Sequence, residues 1–332
     1  MLDADSLGRR RTGDETYVAG LLGALPGVAD DLRIAAVTRT PALVPDGVEA
    51  IELAARSQEL RMAWSLPRLL RRLRPALAHF VHAIPPRCPC SAVLTIQDLS
   101  FERDPSVMGW RDRRIFRLVV PWSARRAVRV LAISERTKAD LVELYGLPPE
   151  KIVVTPLGVG REFRPGGDGD SYALFVGAIE PRKNPLAAAE AAREAGLRLV
   201  VAGPTRDGRL AEELVRAGAE LRGYVGQHEL AKLYRGAACL VHPSRYEGFG
   251  LTVVEAMASG TPVVATPDAA VREVAGEAAV FAEPAELADG IRRAVVERQR
   301  LAAAGLERAR RFTWEETARR TVAVYREVLA AR

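Results

Sequence analysis

The sequence has few cysteines and no long apolar run, and both shortages narrow the classes of protein that it can belong to. Its three cysteines, Cys88, Cys90 and Cys239, are too few for a disulfide framework, so we expect a reducing, cytoplasmic setting. No apolar run approaches the roughly 20 residues that a membrane-spanning helix needs. The first residues are acidic and polar, which predicts that no signal peptide is present.

The sequence also lacks the patterns of several enzyme classes. It contains no Walker loop, no zinc-ligand spacing and no pattern of a nucleophile triad. Cys88-Pro-Cys90 is either half of a metal site or a thiol pair in a loop. No second pair of Cys or His at ligand spacing accompanies it, which favours the thiol pair.

Lysine is scarce. The chain has 44 arginines but only four lysines, Lys138, Lys151, Lys183 and Lys232. Because most basic positions are arginine, a lysine inside a motif indicates that the motif requires lysine there. The net charge of +6 lies mainly in the first half of the chain. Residues 1–158 hold 23 basic and 18 acidic residues, whereas residues 159–332 hold 25 and 24.

The length and composition are those of a two-domain globular protein. The 332 residues suit two domains of about 150 residues each. Hydrophobic residues at 48% and charged residues at 27% are typical of globular proteins. Short apolar runs alternate with amphipathic helical segments, which predicts an α/β protein with parallel sheets covered on both faces. Ligands bind such sheets at the carboxyl ends of the strands.

The most informative stretch is residues 240–262. A short apolar run at 238–241 predicts a buried strand, Gly248 and Gly250 interrupt the pattern, and helix-forming residues follow from Thr252 to Ala258. Glycines let a ligand approach the backbone closely, and a helix start presents free N–H groups. This order of strand, glycine loop and helix therefore predicts a phosphate site.

Two carboxylates lie on either side of the glycine loop. Glu255 follows Glu247 by eight residues, so the two cannot hold one small group together. Glu255 can bind a hydroxyl-rich group on one side of the phosphate, and Glu247 can bind another on the other side. A nucleotide sugar has this shape, with ribose, diphosphate and hexose in order. The alternative is a surface turn with two solvated glutamates.

This stretch resembles the signature of the retaining glycosyltransferases of family GT4. That signature reads Glu-Gly-Phe-Gly-Leu-Pro with a second Glu eight residues after the first, and Thr252 stands here where proline is usual. The resemblance implies that Glu247 binds sugar hydroxyls, that Glu255 binds the ribose, and that the backbone around residues 250–253 binds the distal phosphate. The donor-binding residues that it implies in this stretch are Glu247, Gly248, Phe249, Gly250, Leu251, Thr252, Val253 and Glu255.

A second segment that resembles GT4 enzymes begins at Gly177 and reads Gly-Ala-Ile-Glu-Pro-Arg-Lys-Asn. The resemblance implies that Gly177 contacts the donor and that Arg182 and Lys183 bind its diphosphate. A planar guanidinium group and a compact ammonium group together neutralise the charge of a diphosphate well. The alternative is a solvated basic turn. Further along the chain, the resemblance implies that Tyr224 and Val225 hold the nucleotide base.

The first half of the chain carries weaker features of the family. Residues 8–17 are predicted to form a polar loop before a helix at 18–25, and the resemblance assigns Gly13 to the donor phosphates. Residues 95–101 resemble the family's His-Asp-Leu segment, with Gln97 in place of the histidine and Asp98 as a candidate for orienting the acceptor. Glutamine can hydrogen-bond but cannot carry a proton as histidine does, which puts a general-base role at this position in question. The alternative for Asp98 is a helix or turn cap.

The resemblance implies the GT-B fold, with two Rossmann-like domains whose parallel sheets face each other across a cleft. We predict an N-terminal acceptor-binding domain at residues 1–158 and a nucleotide-sugar-binding domain at residues 159–312. Residues 313–332 are expected to form a C-terminal helix that crosses back to the N-terminal domain.

The implied reaction is the transfer of a hexose from GDP-mannose or a UDP-sugar to a hydroxyl of a glycan or lipid-linked acceptor, with retention of configuration. The predicted catalytic residues are Glu247, Lys183, Arg182 and Asp98. Fixed cations and backbone N–H groups would stabilise the leaving diphosphate, so we expect neither a metal nor another cofactor. Asp3-Ala-Asp5 matches the metal motif of the other common glycosyltransferase fold, but its place at the end of a first strand does not fit that family.

Two other functions stay open on the sequence alone. One is a nucleotide-sugar 2-epimerase on the same fold, which would need a different set of acids and histidines in the cleft. The other is a non-catalytic nucleotide-sugar-binding subunit. Gln97 and the short first strand favour the subunit slightly, whereas the intact cationic segment at Arg182 and Lys183 argues against it.

Residues 110–129 combine aromatic residues with a dense set of arginines. These arginines are Arg111, Arg113, Arg114, Arg117, Arg125, Arg126 and Arg129. One interpretation is a surface for anionic lipid headgroups or a lipid diphosphate, and the other is a core-facing helix with a solvated basic face. We expect a cytoplasmic protein, with a nucleotide sugar and a glycan or lipid-linked acceptor as partners and no nucleic acid. Contact with the inner face of an anionic membrane is expected only under the first of these two interpretations.

Overall fold

A computed structural model describes residues 1–9, 12–55, 57–104, 108–167 and 172–331. These residues form two compact units, each built around one parallel sheet. Unit 1 comprises Met1–Leu99, Trp110–Gly158 and Thr313–Arg332. Unit 2 comprises Ser100–Gly109 and Val159–Phe312.

The described residues of unit 1 hold a seven-stranded sheet in the order β3-β2-β1-β4-β5-β6-β7. Its strands are β1 (Leu2–Asp3), β2 (Ala35–Thr38), β3 (Glu49–Glu52), β4 (Leu77–Val81), β5 (Ser91–Ile96), β6 (Arg129–Ala132) and β7 (Ile152–Val154). Its strand pairs are parallel. The central strands β4 and β5 are buried, because helices cover both faces of such a sheet and its strands are nearly continuous apolar runs.

The described residues of unit 2 hold a six-stranded parallel sheet in the order β10-β9-β8-β11-β12-β13. Its strands are β8 (Ala173–Val176), β9 (Leu199–Ala202), β10 (Glu220–Gly223), β11 (Cys239–His242), β12 (Val263–Ala265) and β13 (Ala279–Phe281). In both sheets the strand order reverses once, between β1 and β4 in unit 1 and between β8 and β11 in unit 2. This order is typical of the Rossmann fold.

Helices connect the strands in both units. They are α1 (Thr12–Ala24), α2 (Gln58–Leu60), α3 (Leu66–Leu73), α4 (Ser100–Arg103), α5 (Trp110–Arg126), α6 (Glu135–Tyr145), α7 (Pro185–Glu194), α8 (Gly208–Arg216), α9 (Gln227–Gly236), α10 (Leu251–Ala258), α11 (Ala269–Ala275), α12 (Leu287–Val296), α13 (Arg298–Ala309) and α14 (Trp314–Ala330). A π-helical segment, Arg61–Ser65, joins α2 to α3. The sequence predicts that Ser134 caps a helix at 135–145 and that Thr313 caps the last helix. Both caps are confirmed, since the two hydroxyls accept first-turn N–H groups.

A buried polar network joins α14 to the sheet of unit 1. The Tyr325 hydroxyl lies 2.5 Å from His79 Nδ1, and Thr95 Oγ1 lies 2.7 Å from His79 Nε2. The Tyr17 hydroxyl of α1 lies 2.8 Å from the same Thr95 oxygen. Burial lowers the pKa of His79 to about 3, so its ring is neutral and serves as a structural group. The network therefore joins the last helix of the chain to β4, β5 and α1.

Three local predictions from the sequence are wrong. Helix α1 begins at Thr12 rather than near residue 18, because Asp14 and Glu15 favour a helix N-terminus, so Gly13 lies in a first turn and not in a loop. The short apolar run at 50–53 predicts a buried strand, but strand β3 is mostly exposed, because it lies at the edge of the sheet. The sequence pattern at 286–303 predicts a single helix, but the structure has two, α12 and α13, since the backbone of Glu297 (φ −91°, ψ 16°) leaves the helical region.

None of the described helices is both long and apolar enough to span a bilayer.

Candidate functional site

The two segments that resemble GT4 enzymes follow adjacent strands of unit 2. Gly177 comes directly after β8, and the loop with Glu247 comes after β11. These strands are hydrogen-bonded neighbours, and the strand order reverses between them. Such a reversal is where ligands bind in open α/β sheets. The topology thereby brings Lys183 to Glu247, although 64 residues separate them in the chain.

Lys183, Arg182 and Glu247 form the centre of the candidate site. Lys183 Nζ lies 2.6 Å from Glu247 Oε1, and Arg182 Nη1 lies 3.8 Å from Glu247 Oε2. The exposed fractions of the three side chains are 17%, 11% and 9%, so water screens their charges poorly. The sequence-predicted cations therefore face the sequence-predicted carboxylate in one largely buried cluster.

Glu247 is ionised at neutral pH. Burial alone would raise the pKa of its carboxyl group, because a charge is less stable away from water. The charge of Lys183, the adjacent His242 and the charge of Arg182 outweigh burial and hold the pKa well below its usual range. A carboxylate can only accept hydrogen bonds, which suits a residue that binds hydroxyl groups.

Arg182 joins the two loops of the site. Its Nη1 donates to the carbonyl oxygen of Tyr246 at 2.7 Å, and its Nη2 donates to Glu180 Oε1 at 2.8 Å. The other carboxylate oxygen of Glu180 accepts from Arg206 at 3.0 Å. The guanidinium group is thus already bound to protein groups that the sequence pattern did not indicate. Its assignment as a phosphate ligand stays a prediction.

His242 is a site residue that the sequence analysis did not identify. It ends β11, is buried, and places Nε2 at 3.1 Å from Glu247 Oε1. Its Nδ1 lies 3.3 Å from Thr252 Oγ1. The sequence signal for it is a histidine at the end of a buried strand, directly before a glycine loop. Thr252, which the resemblance assigns to the phosphate through its backbone, thus also contributes its side chain.

The glycine loop leads into α10 as predicted. Gly250 has a φ of 96°, a left-handed conformation that favours glycine, and no side chain caps the start of the helix. The start of α10 therefore presents a partial positive charge to the loop, as a phosphate site requires. Within this segment Gly248 and Val253 are buried, and Leu251 and Thr252 are half-buried.

Phe249 packs edge-on against Phe312, with ring centroids 5.6 Å apart. Its side chain is buried and stabilises the loop within unit 2, while its assignment to donor binding stays a prediction.

Glu255 lies in a different environment from Glu247. It is 4% exposed, and its Oε2 accepts a hydrogen bond from the Tyr234 hydroxyl at 2.9 Å. Burial raises the pKa of Glu255 to about 8, although the bond from Tyr234 lowers it, and the charge of Glu162 raises it further. The carboxyl group is therefore mainly protonated at neutral pH. A neutral carboxyl group can both donate and accept hydrogen bonds, which is compatible with ribose hydroxyls.

The remaining predicted residues of unit 2 follow β8 and β10. Gly177 follows β8 with a φ of 154°, and its carbonyl oxygen lies 2.0 Å from the place that a Cβ on Gly203 would take, so the two backbones pack closely. Tyr224 and Val225 follow β10, which β9 separates from β8. The side chain of Tyr224 is 49% exposed.

In unit 1 the predicted residues lie near the carboxyl end of β5. Gln97 follows that strand and is buried, and its Oε1 lies 3.5 Å from the place that a Cβ on Gly13 would take. Its Nε2 has no hydrogen-bond partner within the described ranges. Asp98 is the next residue and is half-buried. Asp14, which no sequence motif indicates, places its Oδ1 3.1 Å from His82 Nε2.

Asp3 and Asp5 bind arginines. The buried Arg61 places Nη2 at 2.5 Å from Asp3 Oδ1 and Nε at 3.3 Å from Asp5 Oδ1. Arg39 Nε and Arg9 Nη1 reach Asp5 at 2.8 and 3.0 Å. These guanidinium groups balance the charge of both carboxylates, which explains why the two acids can lie at the end of a buried strand.

Cys88 and Cys90 form a thiol pair, with Sγ atoms 3.8 Å apart and no disulfide. Hydrogen bonding with Cys90 lowers the pKa of Cys88 to about 7, although burial raises it. Across the part of the chain that the structure describes, no three His, Cys, Asp or Glu side chains are grouped so that they could hold a metal ion.

Two family models match consecutive parts of the chain. The model described as Glycosyltransferase Family 4 matches residues 12–163. The model described as Glycosyl transferases group 1 matches residues 161–312, which include β8 to β13 and the cluster at Glu247.

Curated relatives are also similar in sequence. The chain is 28% identical over 298 residues to O-antigen chain mannosyltransferase B of Escherichia coli, covering 80% of this chain and 77% of the relative. It is 35% identical over 243 residues to D-inositol 3-phosphate glycosyltransferase of Frankia alni, covering 61% of this chain. The matched part spans 60% of the Frankia protein's length.

Solved structures share the fold at low sequence identity. Sucrose-phosphate synthase of Thermosynechococcus elongatus matches with a TM-score of 0.81 and 20% identity, over 100% of this chain and 99% of that one. Anabaena Alr3699/HepE in complex with UDP and glucose matches with a TM-score of 0.74 and 16% identity, over 98% of this chain and 99% of that one. These likenesses and the two parallel sheets confirm the GT-B fold that the sequence predicts. With both family models matched in order along this fold, the chain belongs to the group 1 glycosyltransferases of family 4, a family of retaining enzymes.

Proposed function

We propose that this protein transfers a hexose from a nucleotide-diphosphate sugar to a hydroxyl of a glycan or lipid-linked acceptor, with retention of configuration. The observation that carries the proposal is the ionised Glu247, bound by Lys183 and His242 where the strand order of unit 2 reverses. The start of α10 lies directly after this loop. A carboxylate for sugar hydroxyls beside cations and N–H groups for a diphosphate is the combination that a nucleotide sugar needs.

In this proposal the donor is bound along the strand ends of unit 2. Glu247 accepts a hydrogen bond from a sugar hydroxyl, and the backbone at 250–253 binds the distal phosphate. The Lys183 ammonium group has three hydrogens, so it can bind a phosphate oxygen and keep Glu247 as a partner. Arg182 adds positive charge from its position between the loops. Glu255 then binds the ribose as a mainly neutral acid.

The remaining donor and acceptor contacts are those that the resemblance to family 4 enzymes implies. Tyr224 and Val225, at the end of β10, hold the base. For unit 1, the resemblance assigns Gly13 to the donor phosphates and Asp98 to orienting the acceptor hydroxyl, and we keep both assignments. The buried Gln97 amide, whose Nε2 has no hydrogen-bond partner among the described residues, supplies a donor for a ligand oxygen.

The chemistry follows from charge stabilisation. When the bond from the sugar to the diphosphate breaks, negative charge grows on the leaving group. Lys183, Arg182 and the N–H groups of α10 are fixed donors that stabilise this charge without rearranging. A deprotonating or nucleophilic side chain is not required for this part of the reaction.

A basic and apolar face of α5 supports an acceptor at an anionic membrane. Ile115, Leu118 and Trp122 are 56%, 73% and 41% exposed, and their spacing places them on one helical face. Arg114 and Arg117 are exposed on the same helix. Apolar side chains that enter the headgroup region, with arginines beside them, complement an anionic lipid surface.

The test is a panel of UDP- and GDP-sugars with and without glycan and lipid-linked acceptors, with released nucleotide and product configuration as the readouts. We expect acceptor-dependent nucleotide release, an α- or β-linkage that matches the donor, and at least tenfold loss in Glu247→Gln. Glu212→Gln is the matched control, since Glu212 is a 76% exposed glutamate of the same unit.

Other outcomes would identify the two alternatives. Conversion of the donor to its 2-epimer without an acceptor would indicate the epimerase. Donor binding without turnover for any acceptor would indicate a non-catalytic binding subunit.

A further inference from the structure

A continuous row of four polar side chains crosses the candidate site. Thr252 Oγ1 lies 3.3 Å from His242 Nδ1, and His242 Nε2 lies 3.1 Å from Glu247 Oε1. Lys183 Nζ lies 2.6 Å from the same oxygen. His242 is 3% exposed, so bulk water is not available to replace these partners. The arrangement of hydrogens in this row is therefore set by the side chains themselves.

The hydrogen positions follow from the ionised state of Glu247. A carboxylate only accepts hydrogen bonds, so the ring nitrogen that faces it, Nε2 of His242, must carry a hydrogen. In a neutral ring the other nitrogen, Nδ1, is then an acceptor. The Thr252 hydroxyl faces Nδ1 and can donate to it, which stabilises this tautomer over the other.

The two oxygens of Glu247 have unequal surroundings. Oε1 faces both Lys183 and His242, whereas Oε2 lies 3.8 Å from Arg182 Nη1, beyond hydrogen-bond distance. Lys183 donates a hydrogen bond to Oε1, and His242 Nε2 lies 3.1 Å from the same oxygen without a hydrogen bond in the geometry of the structure. These two groups on one side of the carboxylate restrict its rotation. Within the part of the chain that the structure describes, Oε2 accepts no hydrogen bond, so it can accept one from a ligand.

We propose that Thr252 and His242 are positioning residues, which hold Glu247 so that Oε2 is available to accept from a sugar hydroxyl. Thr252 sets the tautomer of His242, and His242 together with Lys183 sets the orientation of the carboxylate. A fixed acceptor distinguishes hexoses by the direction in which a ring hydroxyl points. The binding of a sugar hydroxyl by Glu247 rests on the proposed function, whereas the tautomer of His242 does not.

The first test is spectroscopic and needs no substrate. The full-length protein with ¹⁵N-labelled histidine is compared with Thr252→Val, which keeps the shape but loses the hydroxyl, and with Thr252→Ser, which keeps it. His242→Gln identifies the His242 signals among the four histidines. We expect the Nε2–H tautomer in the wild type and in Thr252→Ser, and a mixture of tautomers in Thr252→Val. A doubly protonated or Nδ1–H ring in the wild type, or an unchanged spectrum in Thr252→Val, would overturn the proposal.

The second test is kinetic and uses the nucleotide sugar that the donor panel identifies, together with its deoxy analogues. We expect kcat/KM to fall about threefold to tenfold in Thr252→Val and to stay near wild type in Thr252→Ser. The wild type should discriminate against one deoxy sugar, and Thr252→Val should discriminate less. Equal discrimination by both proteins would refute a positioning role. Lack of turnover in the wild type would instead refute the proposed function, and the NMR result would still decide the tautomer.

Discussion

Lys183 is the single residue on which the charge balance of the site depends most directly. Its replacement by alanine removes a charge-assisted contact of about 1.5–3 kcal/mol to a phosphate. It also removes the first of the charges that keep the pKa of Glu247 low. We expect turnover to fall at least tenfold while the protein stays folded, measured as kcat and kcat/KM.

The matched control is Lys232→Ala. Lys232 is 69% exposed and lies 3.6 Å from Glu229 on the surface of unit 2, so its removal should leave the kinetics unchanged. Equal kinetics for Lys183→Ala and the wild type would show that Lys183 does not bind the phosphate.

Glu255 makes stability depend on pH. The pKa of Glu255 is about 8 in the folded protein, and an unperturbed glutamate titrates near 4.3. Between these values the folded state keeps a proton that the unfolded state has lost, so the free energy of unfolding falls as pH rises. Glu255→Gln removes this pH dependence of the free energy of unfolding. The melting temperature of the variant should therefore rise relative to that of the wild type from pH 5 to pH 8. Thermal denaturation across this range measures the difference.

The control for this measurement is Glu229→Gln, because Glu229 is 54% exposed. Its curve should run parallel to that of the wild type. If the Glu255→Gln curve is parallel as well, the carboxyl group is ionised in the folded protein and the assignment of its protonation state fails.

The fixed cations also predict the response to metal removal. Lys183, Arg182 and the first N–H groups of α10 supply positive charge to the leaving diphosphate, so activity should persist in excess EDTA. Nucleotide release with and without EDTA is the measurement. Complete loss that Mg²⁺ or Mn²⁺ restores would contradict the proposal and direct attention to Asp3 and Asp5.

At the scale of elements, the sequence of helix α5 leaves open whether it binds an anionic membrane or packs on the core with a solvated basic face. Its apolar residues at 115, 118 and 122 are exposed, whereas Val120 and Pro121 are buried. We expect reversible binding to anionic vesicles, weaker at physiological than at low salt, because each basic residue near the surface contributes about 1 kcal/mol and salt screens it. Flotation with anionic and neutral vesicles measures the binding.

Variants of α5 separate the apolar from the electrostatic contribution. Ile115→Ser with Leu118→Ser should weaken binding at every salt concentration, and Arg114→Glu with Arg117→Glu should weaken it most at low salt. Val296→Ser is the control, since Val296 is an 85% exposed apolar residue of unit 2. Equal recovery with both kinds of vesicle, or none with either, would leave a water-soluble acceptor.

Two short helices, α8 and α11, are not indicated by the apolar pattern of the sequence. Helices α8 and α11 have nine and seven residues, and an aspartate caps each, Asp207 and Asp268. A pattern this short has too few turns to show an apolar period. Their caps are therefore the main local signal, and aspartates in loops are common.

For the whole molecule, the chain leaves unit 1 for the second time after Gly158 and returns to it at Thr313. The Tyr325 hydroxyl of α14 then joins His79 in the buried network of unit 1. Tyr325→Phe would leave His79 Nδ1 buried without this partner, and we expect the free energy of unfolding of unit 1 to fall by about 1–3 kcal/mol. Hydrogen exchange of β4 and β5 in urea measures this in unit 1 alone.

Glu327→Gln serves as the control on the same helix. Glu327 pairs with Arg129 at an exposed position, so its replacement should change stability little. A Tyr325→Phe protein as stable as this control would mean that the network contributes nothing to holding α14.

Much of the fold was predictable from short stretches of sequence. Helix α6 and its Ser134 cap, strand β11 and helix α10 depend on neighbours within a few residues, which the sequence displays directly. The GT-B fold was predictable from two segments, beginning at Gly177 and at Glu247, because their residue order resembles a known family. Where local signals were weak, as at the start of α1 and at Glu297, the predicted boundaries were wrong.

Contacts between distant residues were decided by the tertiary structure. His242 was not predicted, and the environments of Arg182 and Glu255 were not visible, because each depends on which strands are neighbours and on which side chains they bury. Arg61 resembles a solvated helix arginine in the sequence, yet it is fully buried against Asp3 and Asp5. Residue types and their local order are properties of the chain, whereas burial and charge pairing exist only after segments far apart in sequence meet. The chemistry of this site depends on those pairings.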